Sequence, residues 1–127
     1  MNIGIIGIGY WGPNLLRNLN ENKKFKVKYV CDLNRARLNK INLPDNEVIR
    51  TTNIKDLLSD KNLAAVFIAT PVNTHFKLAK LCLKANKHVF VEKPLSDSKQ
   101  NCTALIELAK KKSLSLFVDH TFLYTPA

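Results

Sequence analysis

Gly7-Ile8-Gly9-Tyr10-Trp11-Gly12 is a GxGxxG run set between two segments of different periodicity. Before it, Asn2–Ile6 is a short apolar stretch of the kind that forms a buried strand. After it, Pro13–Asn20 carries Leu15, Leu16 and Leu19 at helical spacing, with the proline tolerated in a first turn. Gly7 permits a tight turn, Gly9 leaves room for a pyrophosphate to approach the backbone, and Gly12 lets helix and strand pack closely. Free N–H groups at such a helix start favour phosphate. Asp32 stands twenty residues beyond Gly12, at the end of the next predicted strand. A carboxylate there accepts hydrogen bonds from ribose hydroxyls and repels a 2′-phosphate. The expected cofactor is therefore NAD. NADP is the alternative, because Arg35 and Arg37 follow closely enough to reach a 2′-phosphate.

The rest of the chain alternates strand and helix. Lys26–Cys31 predicts a second strand, Asn34–Ile41 a short helix, Glu47–Arg50 a third strand and Ile54–Leu58 a helical turn or two. Ala64–Ala69 is wholly apolar, as in strands buried on both faces. Thr74–Ala85 is amphipathic, with Phe76, Ala79 and Leu83 opposite a solvated stripe of Lys77, Lys80, Lys84 and Lys87. His88–Val91 predicts a strand and Ser98–Lys112 the longest helix, its apolar face formed by Cys102, Leu105, Ile106 and Ala109. Leu114–Val118 predicts the last strand. Repeated right-handed βαβ units of this kind predict an α/β, Rossmann-type fold: a doubly wound, mainly parallel, six-stranded sheet in a single domain. At 127 residues the chain is long enough for one domain with a real core.

Composition narrows the partners. The formal net charge of +10 would attract polyanions, yet the lysines spread over separate helix faces, and Lys110, Lys111 and Lys112 close a helix where cations favour the dipole. No nucleic-acid partner is expected, since few aromatics interleave with the lysines. No apolar run approaches the roughly 20 residues of a membrane helix, and no basic segment precedes Met1–Ile8, so a cytoplasmic location is expected. The three cysteines lack CxxC spacing, which argues against a disulfide framework or a metal site. Cys31, Cys82 and Cys102 read as buried free thiols.

A second group of polar residues follows the later strands. Ala69-Thr70-Pro71-Val72-Asn73-Thr74-His75 follows one and Glu92-Lys93-Pro94 the next. Ligands of open parallel sheets collect at the carboxyl ends of strands, so both segments should flank the crevice of the glycine turn. Taken alone, Asn73 or Thr74 is a helix N-cap and His75 a first-turn residue. Lys93 alone is a surface lysine, held extended by Pro94. His88 reads as scaffold. Trp11 either shields the cofactor or covers the helix start.

Together GIIGIGYWGPN, CDLN, ATPVNTH and VEKPL resemble, in order and over essentially the whole chain, the glucose–fructose oxidoreductase/inositol dehydrogenase (Gfo/Idh/MocA) family. The YWGPN turn is most similar to members that oxidise nucleotide-linked amino sugars at the 3-position. The resemblance implies that residues 1–120 form the dinucleotide-binding domain of a sugar or nucleotide-sugar oxidoreductase. It implies a cofactor set joining Gly7, Gly9, Tyr10, Trp11, Gly12 and Asp32 to Thr70, Asn73, His75, Glu92 and Lys93. Lys93, from the EKP motif, would also be catalytic, as acid/base or by polarising the substrate hydroxyl. Residues 121–127 would begin the connection to a second domain that carries most substrate contacts, and no catalytic role falls to His120. An isolated chain should bind cofactor without useful turnover, while the full-length protein should be a homo-oligomer. The alternative is a non-catalytic NAD(P)-binding regulatory or partner module, for which Lys93 would be dispensable.

Overall fold

Val66 and Ile68 bury against one layer of helices, while their neighbours Ala65 and Phe67 bury against the other. A strand with both faces apolar must lie in the middle of a covered sheet. A computed structural model, which describes residues 1–43 and 47–119, places it there. The chain runs β1 (Asn2–Ile6), α1 (Gly12–Glu21), β2 (Lys26–Cys31), α2 (Arg35–Lys40), β3 (Ile49–Thr51) and α3 (Ile54–Leu58). It continues with β4 (Ala65–Ile68), a 3-10 turn (Val72–Thr74), α4 (His75–Lys84), β5 (His88–Glu92), α5 (Lys99–Lys111) and β6 (Leu116–Asp119).

The six strands form one sheet in the order β3-β2-β1-β4-β5-β6, and every neighbouring pair is parallel. The order reverses direction between β1 and β4, which leaves a gap at their carboxyl ends. Residues 1–43 and 47–119 therefore carry the doubly wound α/β architecture that the sequence predicts. Among the described residues no helix is long and apolar enough to cross a membrane. The expected connection at 121–127 and His120 lie outside the described residues.

Several expectations change, among them the last strand, which starts at Leu116 and not Leu114. Lys87 does not continue the solvated stripe: it is 3% exposed, and its amine donates to the Asp60 carbonyl. The reason is Asn86, whose φ of 62° turns the chain after α4 and rotates Lys87 inward. Ile106 is exposed on α5, where Leu105 and Ala109 make the buried contact and Leu108 packs beside them. β3 starts two residues later than expected, because its register with β2 pairs Tyr29 with Ile49 and Cys31 with Thr51. Among the cysteines, Cys31 and Cys82 are buried and Cys102 is partly so. Burial pushes the Cys31 thiol up to about 11 and the Cys82 thiol to about 12, so neither is a ready thiolate. His88 ties two strands together, its Nδ1 accepting from the Ser115 N–H at 3.0 Å.

Candidate functional site

The turn after β1 is built from backbone constraints. Gly7 has φ +93°, and a Cβ there would meet the Ala69 carbonyl oxygen at 2.6 Å. A Cβ on Gly12 would lie 2.3 Å from the Gly7 carbonyl oxygen, so α1 starts hard against the end of the strand. Gly9 differs: a Cβ there would meet only the Arg37 guanidinium, at 3.5 Å. That corner is open to an incoming group. α1 begins at Trp11 without a side-chain cap and without an acidic residue in its first turn. No acidic side chain of α1 itself thus opposes its amide dipoles at that end.

Asp32, at the end of β2, is 8% exposed. One carboxylate oxygen accepts the Ile8 N–H at 2.9 Å and the other the Asn34 N–H at 2.8 Å. The same side chain therefore pins the glycine turn to the β2 loop and retains lone pairs for a ligand hydroxyl. Asn34 in turn caps α2, accepting from the Ala36 N–H at 3.0 Å.

These segments line one crevice of 1010 Å³ at the carboxyl ends of β1, β2 and β4. Gly7, Gly9, Tyr10 and Trp11 form one wall, with Asp32 and Arg37 beside them and Thr70 and Asn73 opposite. Tyr10 and Trp11 pack edge to face, centroids 4.9 Å apart, and both are largely exposed at the mouth. Thr74, expected as a possible cap, turns its hydroxyl elsewhere: it donates to the Pro71 carbonyl at 2.6 Å and lies 2.6 Å from the Thr70 hydroxyl. The Thr70–Thr74 wall is thereby fixed by its own hydrogen bonds.

Four predicted residues stand outside that lining. Gly12 is buried as packing requires. His75 is 1% exposed, with Nε2 2.7 Å from the Thr70 carbonyl and Nδ1 2.8 Å from the Pro94 carbonyl. Both ring nitrogens already face protein, so His75 clamps the two loops together and offers no ring nitrogen to a cofactor. Glu92 and Lys93 lie at the end of β5, with Glu92 partly buried, Lys93 exposed and the Lys93–Pro94 bond cis. Burial, and then the Asp119 carboxyl of β6, push the Glu92 carboxyl upward. Lys77, read from the sequence as part of a solvated stripe, is exposed as expected and also lines the crevice. So does Asn53 at the start of α3, which no local pattern signalled.

Comparison with known proteins gives one consistent answer. Residues 1–120 match the sequence profile of the Gfo/Idh/MocA family, described as an oxidoreductase family with an NAD-binding Rossmann fold. The chain is 33% identical over 117 residues to a myo-inositol 2-dehydrogenase of Thermotoga maritima, covering 92% of this chain and 35% of that protein. It is 28% identical over 128 residues to a 2,7-anhydro-N-acetylneuraminate hydratase of Escherichia coli, covering 94% and 32%. The crystal structure of a probable dehydrogenase from Thermotoga maritima superposes with a TM-score of 0.86 at 32% identity, covering 93% of this chain and 35% of that one. The chain thus spans about a third of the length of the relatives it matches. With an open glycine corner, a pinned ribose-side carboxylate and a family match along nearly its whole length, the chain belongs to the Gfo/Idh/MocA oxidoreductases and forms their NAD-binding Rossmann domain.

Proposed function

We propose that residues 1–120 are the cofactor-holding unit of an oxidoreductase that acts on a secondary hydroxyl of a sugar, cyclitol or nucleotide-linked sugar. The observation that carries this reading is the open corner at Gly9, set between the uncapped start of α1 and Asp32. The residues fit a dinucleotide: backbone amides for the pyrophosphate, a carboxylate for ribose hydroxyls, and the Thr70–Thr74 wall for the remainder. Bound NAD supplies a hydride acceptor.

Lys93 stands at the strand end where the motif of the family places its lysine. Its ammonium or amine holds or moves a proton at the substrate hydroxyl. Glu92 and His75 position it indirectly, Glu92 as its chain neighbour and His75 by anchoring Pro94 on its other side. Support for the substrate class comes from the similarity to a myo-inositol 2-dehydrogenase. Substrate contacts and subunit assembly, with a homo-oligomer as the full-length form, belong to polypeptide beyond this domain.

Titration of the single tryptophan's fluorescence with NAD, backed by calorimetry, tests the reading. Saturable binding without turnover of inositol or sugars is expected, and Lys93→Ala should leave that binding intact. Calorimetric silence would overturn the proposal.

A further inference from the structure

His75, the first residue of α4, presents both ring nitrogens to groups that can only accept. Nε2 lies 2.7 Å from the Thr70 carbonyl oxygen and Nδ1 2.8 Å from the Pro94 carbonyl oxygen. Each contact is a hydrogen bond only where that nitrogen carries a proton. A neutral imidazole has one N–H, so its bare nitrogen would face a carbonyl lone pair within the buried interior. Only the imidazolium satisfies both partners. Burial opposes a charge there, and so do Lys93, one residue before Pro94, and a helix start in general. The helix term is eased by the 3-10 turn before α4, which engages the Thr74 and His75 amides with the Pro71 and Val72 carbonyls. The unpaired amides therefore lie earlier in the chain. Glu92, at the end of β5, supplies negative charge: His75 acts on its carboxyl, together with Lys93 and the hydrogen-bonded Asp119 paired with it on β6. Where Glu92 and Asp119 share a proton, one negative charge remains on the pair. On α4 itself the next cation is the exposed Lys77.

We propose that His75 is held as an imidazolium, an internal cation whose two N–H groups fasten the Thr70 loop to the Pro94 loop, with Glu92 as its counter-charge. Its consequence for the site rests on the dinucleotide reading above. Thr70, Asn73 and Thr74 line the crevice, and Pro94 directly follows Lys93. His75 is thus a positioning residue that ties the cofactor wall to the lysine loop, and its charge state decides whether the tie is complete. A neutral ring keeps the Thr70 contact or the Pro94 contact and frees the other loop. The clamp is therefore closed while the ring holds both protons and opens as rising pH removes one. Two charge-assisted hydrogen bonds at contact distance, together with a carboxylate, outweigh the burial of a single delocalised cation.

Nitrogen NMR of the isotope-labelled 127-residue chain at neutral pH reads the ring directly, with His75 assigned through its backbone. Both His75 nitrogens should carry the signature of a protonated site. His88 is the internal control: its Nδ1 accepts the Ser115 N–H, so that nitrogen should appear bare. Glu92→Gln should move the loss of the His75 signature to lower pH. NAD affinity of the wild type, followed by calorimetry, should decline in step with that signature as pH is raised. His75→Gln keeps one donor and loses the other, so it should bind NAD about tenfold more weakly at neutral pH and exchange the Thr74 amide faster. A bare nitrogen on His75 at neutral pH would sink the assignment, whether or not the variants fold. An imidazolium whose loss, or whose replacement in a folded His75→Gln protein, leaves NAD affinity unchanged would deny it the positioning role. Calorimetric silence of the wild type toward NAD would remove the dinucleotide reading and leave the charge state to the spectrum.

Discussion

Gly9 and Gly12 are three residues apart, yet a methyl group added at each meets different surroundings. At Gly12 it meets backbone, 2.3 Å from the Gly7 carbonyl oxygen, and neither strand nor helix can withdraw without opening the turn. At Gly9 it meets only the tip of Arg37 at 3.5 Å, the mobile end of a long side chain. Gly12→Ala should therefore cost on the order of 3 kcal/mol of stability, whereas Gly9→Ala should stay within about 1 kcal/mol. The order reverses for ligand binding. The Gly9 methyl would project where a pyrophosphate approaches, so NAD affinity should drop by about tenfold in a fully folded protein. Urea denaturation and calorimetry on the two variants check both halves. A Gly9→Ala variant that bound NAD normally would place the pyrophosphate elsewhere.

At the scale of elements, α2 shows how little a six-residue helix can hold by itself. Its one buried side chain is Leu38, and a helix this short is marginal without help. Help comes from both ends. Asn34 caps the start, and Arg50 of β3 donates to the Leu38 carbonyl at 2.6 Å and the Ile41 carbonyl at 3.0 Å at the finish. Asn34→Ala should cost about 1 kcal/mol, and Arg50→Ala about 1–3 kcal/mol by leaving two carbonyls without their donor. Because α2 carries Arg37, both changes should also speed amide exchange at Ala36 and Arg37. Asn34 is visible in the sequence as a polar residue before a helix, but Arg50's role is not, since only strand pairing brings β3 beside the end of α2. The same division runs through the whole chain. β1, β2 and α3 keep their predicted bounds because hydrophobic periodicity is local, and the glycine turn with Asp32 is legible because its spacing is the geometry. What stayed hidden depends on distant backbone. The carbonyls that enclose His75 come from two loops, and the turn at Asn86 that buries Lys87 interrupts a lysine pattern which reads on paper as continuous.

Across the whole molecule, one partly buried carboxylate joins parts that the sheet alone does not. Asp60, in the connection between α3 and β4, pairs with Lys28 at 2.5 Å and accepts from the Tyr29 hydroxyl at 2.9 Å, both on β2. Its backbone carbonyl receives the buried Lys87 amine at the start of β5. The Lys28 ammonium, aided by the Asn62 N–H, lowers the Asp60 carboxyl from 3.8 to about 2. The folded protein thus holds this proton less tightly than the unfolded chain does. Its contribution to stability is complete above about pH 4 and is lost as pH falls through about 2. Glu92 acts with the opposite sign in a higher window. Its carboxyl is raised from 4.5, so the folded state gains from a proton there, and stability declines as pH climbs past that value. The two groups are therefore separable by pH. Between about pH 4 and pH 2.5, at constant ionic strength, Asp60→Asn should flatten the loss of stability seen in wild type, while Glu92→Gln should leave it unchanged. Constant ionic strength matters because a chain of net charge +10 also repels itself more strongly as its carboxylates are neutralised. A wild-type slope that survives Asp60→Asn would assign the acid transition to this general repulsion and not to the Lys28–Asp60 pair.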